Sequence, residues 1–127
     1  MAAVNVAKRI HSVIPPGMEL NDRAYATTDI KAGEPVVIVS TAPASKVYEY
    51  SVAKSTGTDF NGFALVDVKE GGLAEITMVN ELDGFSGLTP GAALTVVDGK
   101  IDDTAPAAGQ FVKIRALTTT RIRVMCN

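Results

Sequence analysis

The chain has 127 residues, 46% hydrophobic and 20% charged, with twelve Lys and Arg against fourteen Asp and Glu and a net charge of -2. This is the composition of one folded domain, and it excludes a disordered chain and a general nucleic-acid binder, which needs a basic surface to displace counterions from phosphates. One Cys, one His and no Trp exclude a disulfide scaffold and remove most residue sets that catalysis or metal binding uses.

The first fourteen residues carry two patterns at once. Val6, Ile10, Val13 and Ile14 fall on one helical stripe, while Val4 and Val6 alternate as in a strand. Pro15-Pro16-Gly17 stops either element. The division expected is an N-terminal arm over 1–17 and a β domain over 18–127. A first edge strand or short helix packed on its own domain is the alternative. Lys8, Arg9 and His11 follow the opening apolar stretch, the wrong order for a secretory signal, and no apolar run reaches the roughly 18 to 20 residues of a membrane span. The expectation is a protein made and used without membrane passage.

From Leu20 the chain becomes short β-rich runs divided by turn residues. Arg23–Thr28 is one strand. Lys31-Ala32-Gly33-Glu34 is a turn, and Pro35 opens the apolar run Val36–Val39, which suits a strand buried on both faces. Val47–Ala53 is a strand with Tyr48 and Tyr50 on its apolar face. Phe60–Val68 is another, with Gly62 as a bulge or a point of close backbone approach. Gly71-Gly72 turns the chain into Ala74–Val79. A loop is expected around Gly84-Phe85-Ser86-Gly87, and Pro90-Gly91 is a turn. Asp98-Gly99 between Ala93–Val97 and Lys100-Ile101-Asp102 is the strongest hairpin signal in the chain. Thr104–Gly109 is a loop, followed by strands Phe111–Leu117 and Arg121–Met125. Turns recurring at this spacing predict an all-β fold, a small barrel or sandwich of short antiparallel strands.

Charge is uneven. Nine acids against Lys69 and Lys100 lie between Asp59 and Asp103, and the rest of the chain is correspondingly basic. Arg121 and Arg123 share one face of the last strand, and Lys113 and Arg115 alternate the same way on the strand before it. If these two strands pair, Arg115 stands opposite Arg123, so acidic groups are expected nearby, from the middle strands or from a partner.

No catalytic set assembles from the remaining candidates. His11 and Ser12 are neighbours and lack the geometry of a triad. Cys126 reads as a buried or idle thiol. Asp103-Thr104-Ala105 is followed by Pro106 and too little chain for an aspartic protease. The loop at Gly84–Gly87 has no Lys-Ser or Lys-Thr and cannot be a phosphate loop. A non-enzyme with no cofactor and no metal is expected.

One stretch resembles a known family. Leu88-Thr89-Pro90-Gly91-Ala92-Ala93-Leu94-Thr95-Val96-Val97-Asp98-Gly99-Lys100-Ile101, then Thr104-Ala105-Pro106-Ala107-Ala108-Gly109-Gln110-Phe111 and the strands through Val124, resembles the end of capsid decoration (cement) proteins of tailed bacteriophages. Lys31-Ala32-Gly33-Glu34-Pro35-Val36-Val37 and Phe60-Asn61-Gly62-Phe63-Ala64-Leu65 are similar to upstream strands of that family. The resemblance spans about residues 30–125. It implies a structural virion protein on the outer capsid surface, made in the host cytoplasm. Its implied partners are the major capsid protein and further copies of itself, a trimer before a dimer, with no nucleic acid and no membrane. The arm would then supply capsid contacts through Val4, Val6, Lys8, Arg9, Ile10 and Val13, joined by Phe85. The basic strands would supply oligomer contacts through Lys113, Arg115, Arg121 and Arg123. Tyr25 to Val36 also resembles the opening of SAF-type β-clip modules, which implies a ligand- or carbohydrate-binding module. A phage tail or fibre component would keep the same β body.

Overall fold

The computed structural model describes residues 3–14, 17–40 and 50–126. The described residues form ten strands and no helix. In chain order these are β1 (Asn5–Ser12), β2 (Leu20–Ala26), β3 (Pro35–Ser40), β4 (Ser51–Lys54) and β5 (Gly62–Ala64). Then come β6 (Leu73–Ser86), β7 (Ala93–Val97), β8 (Lys100–Asp102), β9 (Ile114–Ala116) and β10 (Arg121–Met125).

The fourteen-residue β6 organises everything else. Its first half closes a five-stranded barrel, in the order β2-β4-β3-β5-β6 and back to β2. Every pair in that ring is antiparallel except β2 with β4. Five strands enclose little space, so the interior takes small and branched residues. Ala24, Ala26, Ala64 and Ala74 accordingly pack with Ile30, Val36, Val52 and Ile76.

The second half of β6 starts another ring. β10, β9, β7 and β8 follow in order on one edge, and β1 pairs along the other. The circuit returns where Ala3 bridges Asp102 and the Val4 N–H donates to the Ile101 carbonyl at 2.8 Å. Its core is larger-grained, with Leu82, Phe85, Leu94, Val96, Ile114, Ile122 and Val124. Phe60 and Phe63 join it from the β5 end. Each such side chain, fully buried, contributes about 1.5–3 kcal/mol of apolar transfer.

Several sequence expectations hold. β7 and β8 pair through the Asp98-Gly99 turn, with Val97 opposite Lys100 and positive φ at both turn residues (51° and 75°). This is the turn geometry that suits the right-handed strand twist. Arg115 stands opposite Arg123. Gly62 is a point of close approach, where a Cβ would stand 2.9 Å from the Thr77 carbonyl oxygen.

Others need correction. Residues 5–12 are no separate arm but strand β1, with Asn5 opposite Ser86 and Ser12 opposite Leu82. Ile10 is 3% exposed in the second core. Val13 N–H then donates to Glu81 O, and β2 takes over with Leu20 opposite Val79. β1 and β2 therefore pair in turn along β6, and Pro15-Pro16 lie outside the described residues. The loop expected at Gly84–Gly87 is instead the end of β6 through Ser86. Phe85 is fully buried there, so it cannot contact a partner. Phe60–Val68 shortens to β5, and Phe111–Leu117 to β9. The Val47–Glu49 part of the fourth expected strand lies outside the described residues.

Two substitutions test this architecture. Ile10→Ala should lower stability by about 2–5 kcal/mol in a denaturant titration, because it leaves a cavity in a core, whereas a residue on a free arm would give no change. At Gly99 the Cβ of Ala would collide with the Ser55 carbonyl on the first barrel, at a backbone φ of 75°. Gly99→Ala should therefore cost about 2–4 kcal/mol in the same measurement.

Candidate functional site

The apolar run beginning at Val36 is not buried on both faces as its sequence suggests. Val36 is fully buried, but Ile38 and Val39 are 47% and 49% exposed. The cause is in the pairing. β3 meets β5 only at Pro35 and Val36, although it continues to Ser40. Beyond Val36 that edge has no strand beside it among the described residues, and the Ile38 N–H is capped by Asn61 Oδ1 at 2.9 Å.

β7 shows the same feature from the other side. It meets β9 only at Ala93 and Leu94, although it continues to Val97. Between these two half-covered edges lies a groove of about 530 Å³. Val37 and Ile38 line one wall, Leu94 and Thr95 the other, with Asp59, Asn61, Gln110 and Phe111 around them. Phe111 is 64% exposed.

Phe60 lines the groove. The Phe60 and Phe63 rings pack at 5.5 Å in a tilted arrangement. Lys113 Nζ sits 4.9 Å from the centre of the Phe60 ring, a cation held against a π face. One rim comes from the Thr104–Gly109 segment through Pro106. That segment is anchored at its start by Asp102, whose Oδ1 accepts from the Thr104 N–H at 2.9 Å and from the Thr104 hydroxyl. These bonds hold the Asp102 carboxyl below its usual range, against the opposing effect of burial.

The residues singled out in the sequence are dispersed. Val4 packs partly buried against the second core, Val13 is half-buried and Val6 is exposed on β1. The side chains of Lys8 and Arg9 lie outside the described residues. Lys113 turns to the groove, whereas Arg115, Arg121 and Arg123 belong to the basic strands β9 and β10. The expected acidic neighbour comes from the middle strand, as Arg123 Nη2 and Nε reach Glu81 Oε2 at 3.1 and 3.3 Å. Arg115 donates to the Gly91 carbonyl at 2.9 Å. Cys126 is half-buried, and burial pushes its thiol up to about 12, so it is protonated at neutral pH. No group of three or more His, Cys, Asp or Glu among the described residues could hold a metal ion. No helix there is long and apolar enough to cross a membrane.

Sequence reasoning did not find the groove. Its signal was Ile38 and Phe111, apolar residues left exposed beside it. Chemically, the site offers main-chain edges, apolar contact and one aromatic face, which is equipment for binding. No protein-family model matches the chain, and no curated protein matches its sequence.

The anchor at Asp102 makes a pH prediction. An unfolded Asp titrates near pH 3.9, roughly, and the folded value lies lower. The stability this group contributes is therefore present above about pH 4 and lost as pH falls through the folded value. Asp102→Asn should make the acid-side fall of stability shallower, read by denaturant titrations at a series of pH values.

Proposed function

We propose that this chain is a structural protein of a bacteriophage particle that binds the outer surface of the capsid shell and strengthens it. The observation that carries the reading is the groove lined by Ile38 and Phe111 beside the uncovered edge of β3. An extended segment of a shell subunit laid there would run along the edge of β3 beyond Val36, while Ile38 and Phe111 cover its side chains. Main-chain pairing makes few demands on side-chain identity, and repetition over a lattice multiplies a modest single-site affinity. The decoration-protein resemblance of residues 30–125 supports the same reading, and the Thr104–Gly109 part of it forms a rim of the groove. The protein acts by binding, without a covalent step.

A second reading has its own observation. An exposed Phe111 beside Asp59, Asn61 and Gln110 is a suitable platform for a sugar ring, as in a carbohydrate-binding module.

Cosedimentation with undecorated shells tests the first reading. Ile38→Asp and Phe111→Asp should each weaken binding about tenfold or more, with little change in the thermal transition of these exposed sites. If both variants bind shells at full strength, the groove is not the contact. Chemical-shift changes at Phe111 on titration with oligosaccharides, without shell binding, would establish the second reading in its place.

A further inference from the structure

The first barrel contains one unit used twice. Ala26, Asp29, Lys31 and Gly33 recur, at a constant displacement along the chain, as Ala64, Asp67, Lys69 and Gly71. The bonds of the two stretches are exchanged between them. The Ile30 N–H donates to the Val68 carbonyl at 2.9 Å, and the Val68 N–H to the Ile30 carbonyl at 2.8 Å. Asp67 Oδ1 accepts from the Ala32 N–H and Asp29 Oδ1 from the Glu70 N–H, both at 2.8 Å. The Gly33 N–H reaches Ala64 O at 2.8 Å and the Gly71 N–H reaches Ala26 O at 2.7 Å, and both glycines have a φ of 86°. The adjoining strands keep the same displacement, since Ala24 stands opposite Ala74 and Gly62 opposite Val36. A local twofold axis through the Ile30–Val68 bridge therefore relates the β2–β6 pair to the β5–β3 pair.

This symmetry is broken beside the groove. Past Ala74, β6 is covered by β2, with Arg23 opposite Glu75, Asp22 opposite Ile76 and Asn21 opposite Thr77. The matching edge is β3 past Val36, and its matching cover would be Asp59, Phe60 and Asn61. These residues leave the sheet, as Phe60 packs into the second core, where it is 7% exposed. Ile38 is the counterpart of Ile76, and on this edge its N–H meets the Asn61 side chain, whose Oδ1 accepts at 2.9 Å. A side-chain carbonyl thus stands where the twofold requires a main-chain one.

We infer that the partner in the groove takes the place on β3 that β2 takes on β6: an extended segment of a shell subunit, antiparallel to β3, whose main-chain carbonyl displaces Asn61 Oδ1 from the Ile38 N–H. This rests on the reading of the groove as the shell contact, and adds to it a direction, a register and the group that must move aside. The chain itself indicates what covers such an edge, because the same barrel covers the equivalent one with an extended antiparallel strand. Main-chain pairing at an open edge is a recurrent mode of capturing extended segments. Until the segment arrives, the Asn61 cap occupies the donor and opposes indiscriminate pairing.

Cosedimentation with undecorated shells and hydrogen exchange test it. Asn61 is exposed, so its variants should fold as the unaltered chain does, which circular dichroism checks. Asn61→Ala removes the competing acceptor and should strengthen shell binding about threefold to tenfold, the size of one net hydrogen bond. In that variant the Ile38 N–H should exchange freely in the unbound chain and about tenfold or more slowly on shells. A reconstruction of decorated shells should show the segment antiparallel to β3. Unchanged or weaker binding of folded Asn61→Ala, no slowing at Ile38, a parallel segment, or a second copy of this chain seated there overturns the inference. Failure of the underlying reading has a different signature, in which Ile38→Asp and Phe111→Asp bind shells at full strength. If those two weaken binding while Asn61→Ala leaves it unchanged, the groove stands as the contact and the displacement of Asn61 is refuted.

Discussion

The structure depends on one strand serving two barrels. Along β6 the side chains alternate, and the residues turned inward must satisfy first one core and then the other. Ala74 and Ile76 fill the narrow first barrel, and Leu82 and Phe85 the second. Asn80 sits at the changeover, 1% exposed, its Oδ1 accepting from the Ser12 hydroxyl and from the Glu81 N–H, each at 2.8 Å. The oxygen is satisfied, whereas Nδ2 is buried with no hydrogen-bond partner among the described residues, which costs about 1–3 kcal/mol. Gly99 performs the matching task outside the strand. Its lack of a Cβ lets the β7–β8 turn touch the Ser55–Gly57 backbone, and its N–H donates to Gly57 O at 2.9 Å.

Because both edges of β6 are occupied, open edges appear where the shorter strands outrun their partners. β3 continues past the last residue that pairs with β5, β7 continues past the last residue that pairs with β9, and residues of both line the groove. An open strand edge is a hazard to most proteins because it invites pairing with any extended chain. Here the uncovered β3 edge lies beside a concave groove, which restricts what can reach it. Binding and protection against indiscriminate pairing thus come from the same geometry.

Local chemistry was legible in the sequence, and long-range pairing was not. The Asp98-Gly99 hairpin announces itself because few residues tolerate positive φ at two successive positions. The opposition of Arg115 and Arg123 follows from a short turn and strict alternation. β6 was read too short because Glu81, Asp83 and Gly84 look like loop residues; Glu81 and Asp83 in fact stand opposite Arg123 and Arg121 on β10. The N-terminal segment was misjudged because Pro-Pro is a local stop signal, whereas β1 is held by residues some 70 to 80 positions further on, Leu82 to Ser86. The groove was invisible for the same reason: it exists only where two strands, distant in sequence, run out of partners.

The bridge from Ala3 to Asp102 has a consequence for biosynthesis. Of the described strands β1 is made before the others, yet its partner strand is β6 and its final clasp lies on β8. It must wait exposed while most of the chain is made, because contacts of such sequence separation form only after a costly loop closure. The first barrel needs only residues through the start of β6 and can close early. The second cannot close until β10 has emerged, so β1 and β10 are secured together. A growing chain of this kind carries an unpaired strand through most of synthesis, and the polar residues of β1, Asn5, His11 and Ser12 among them, help keep that waiting strand soluble.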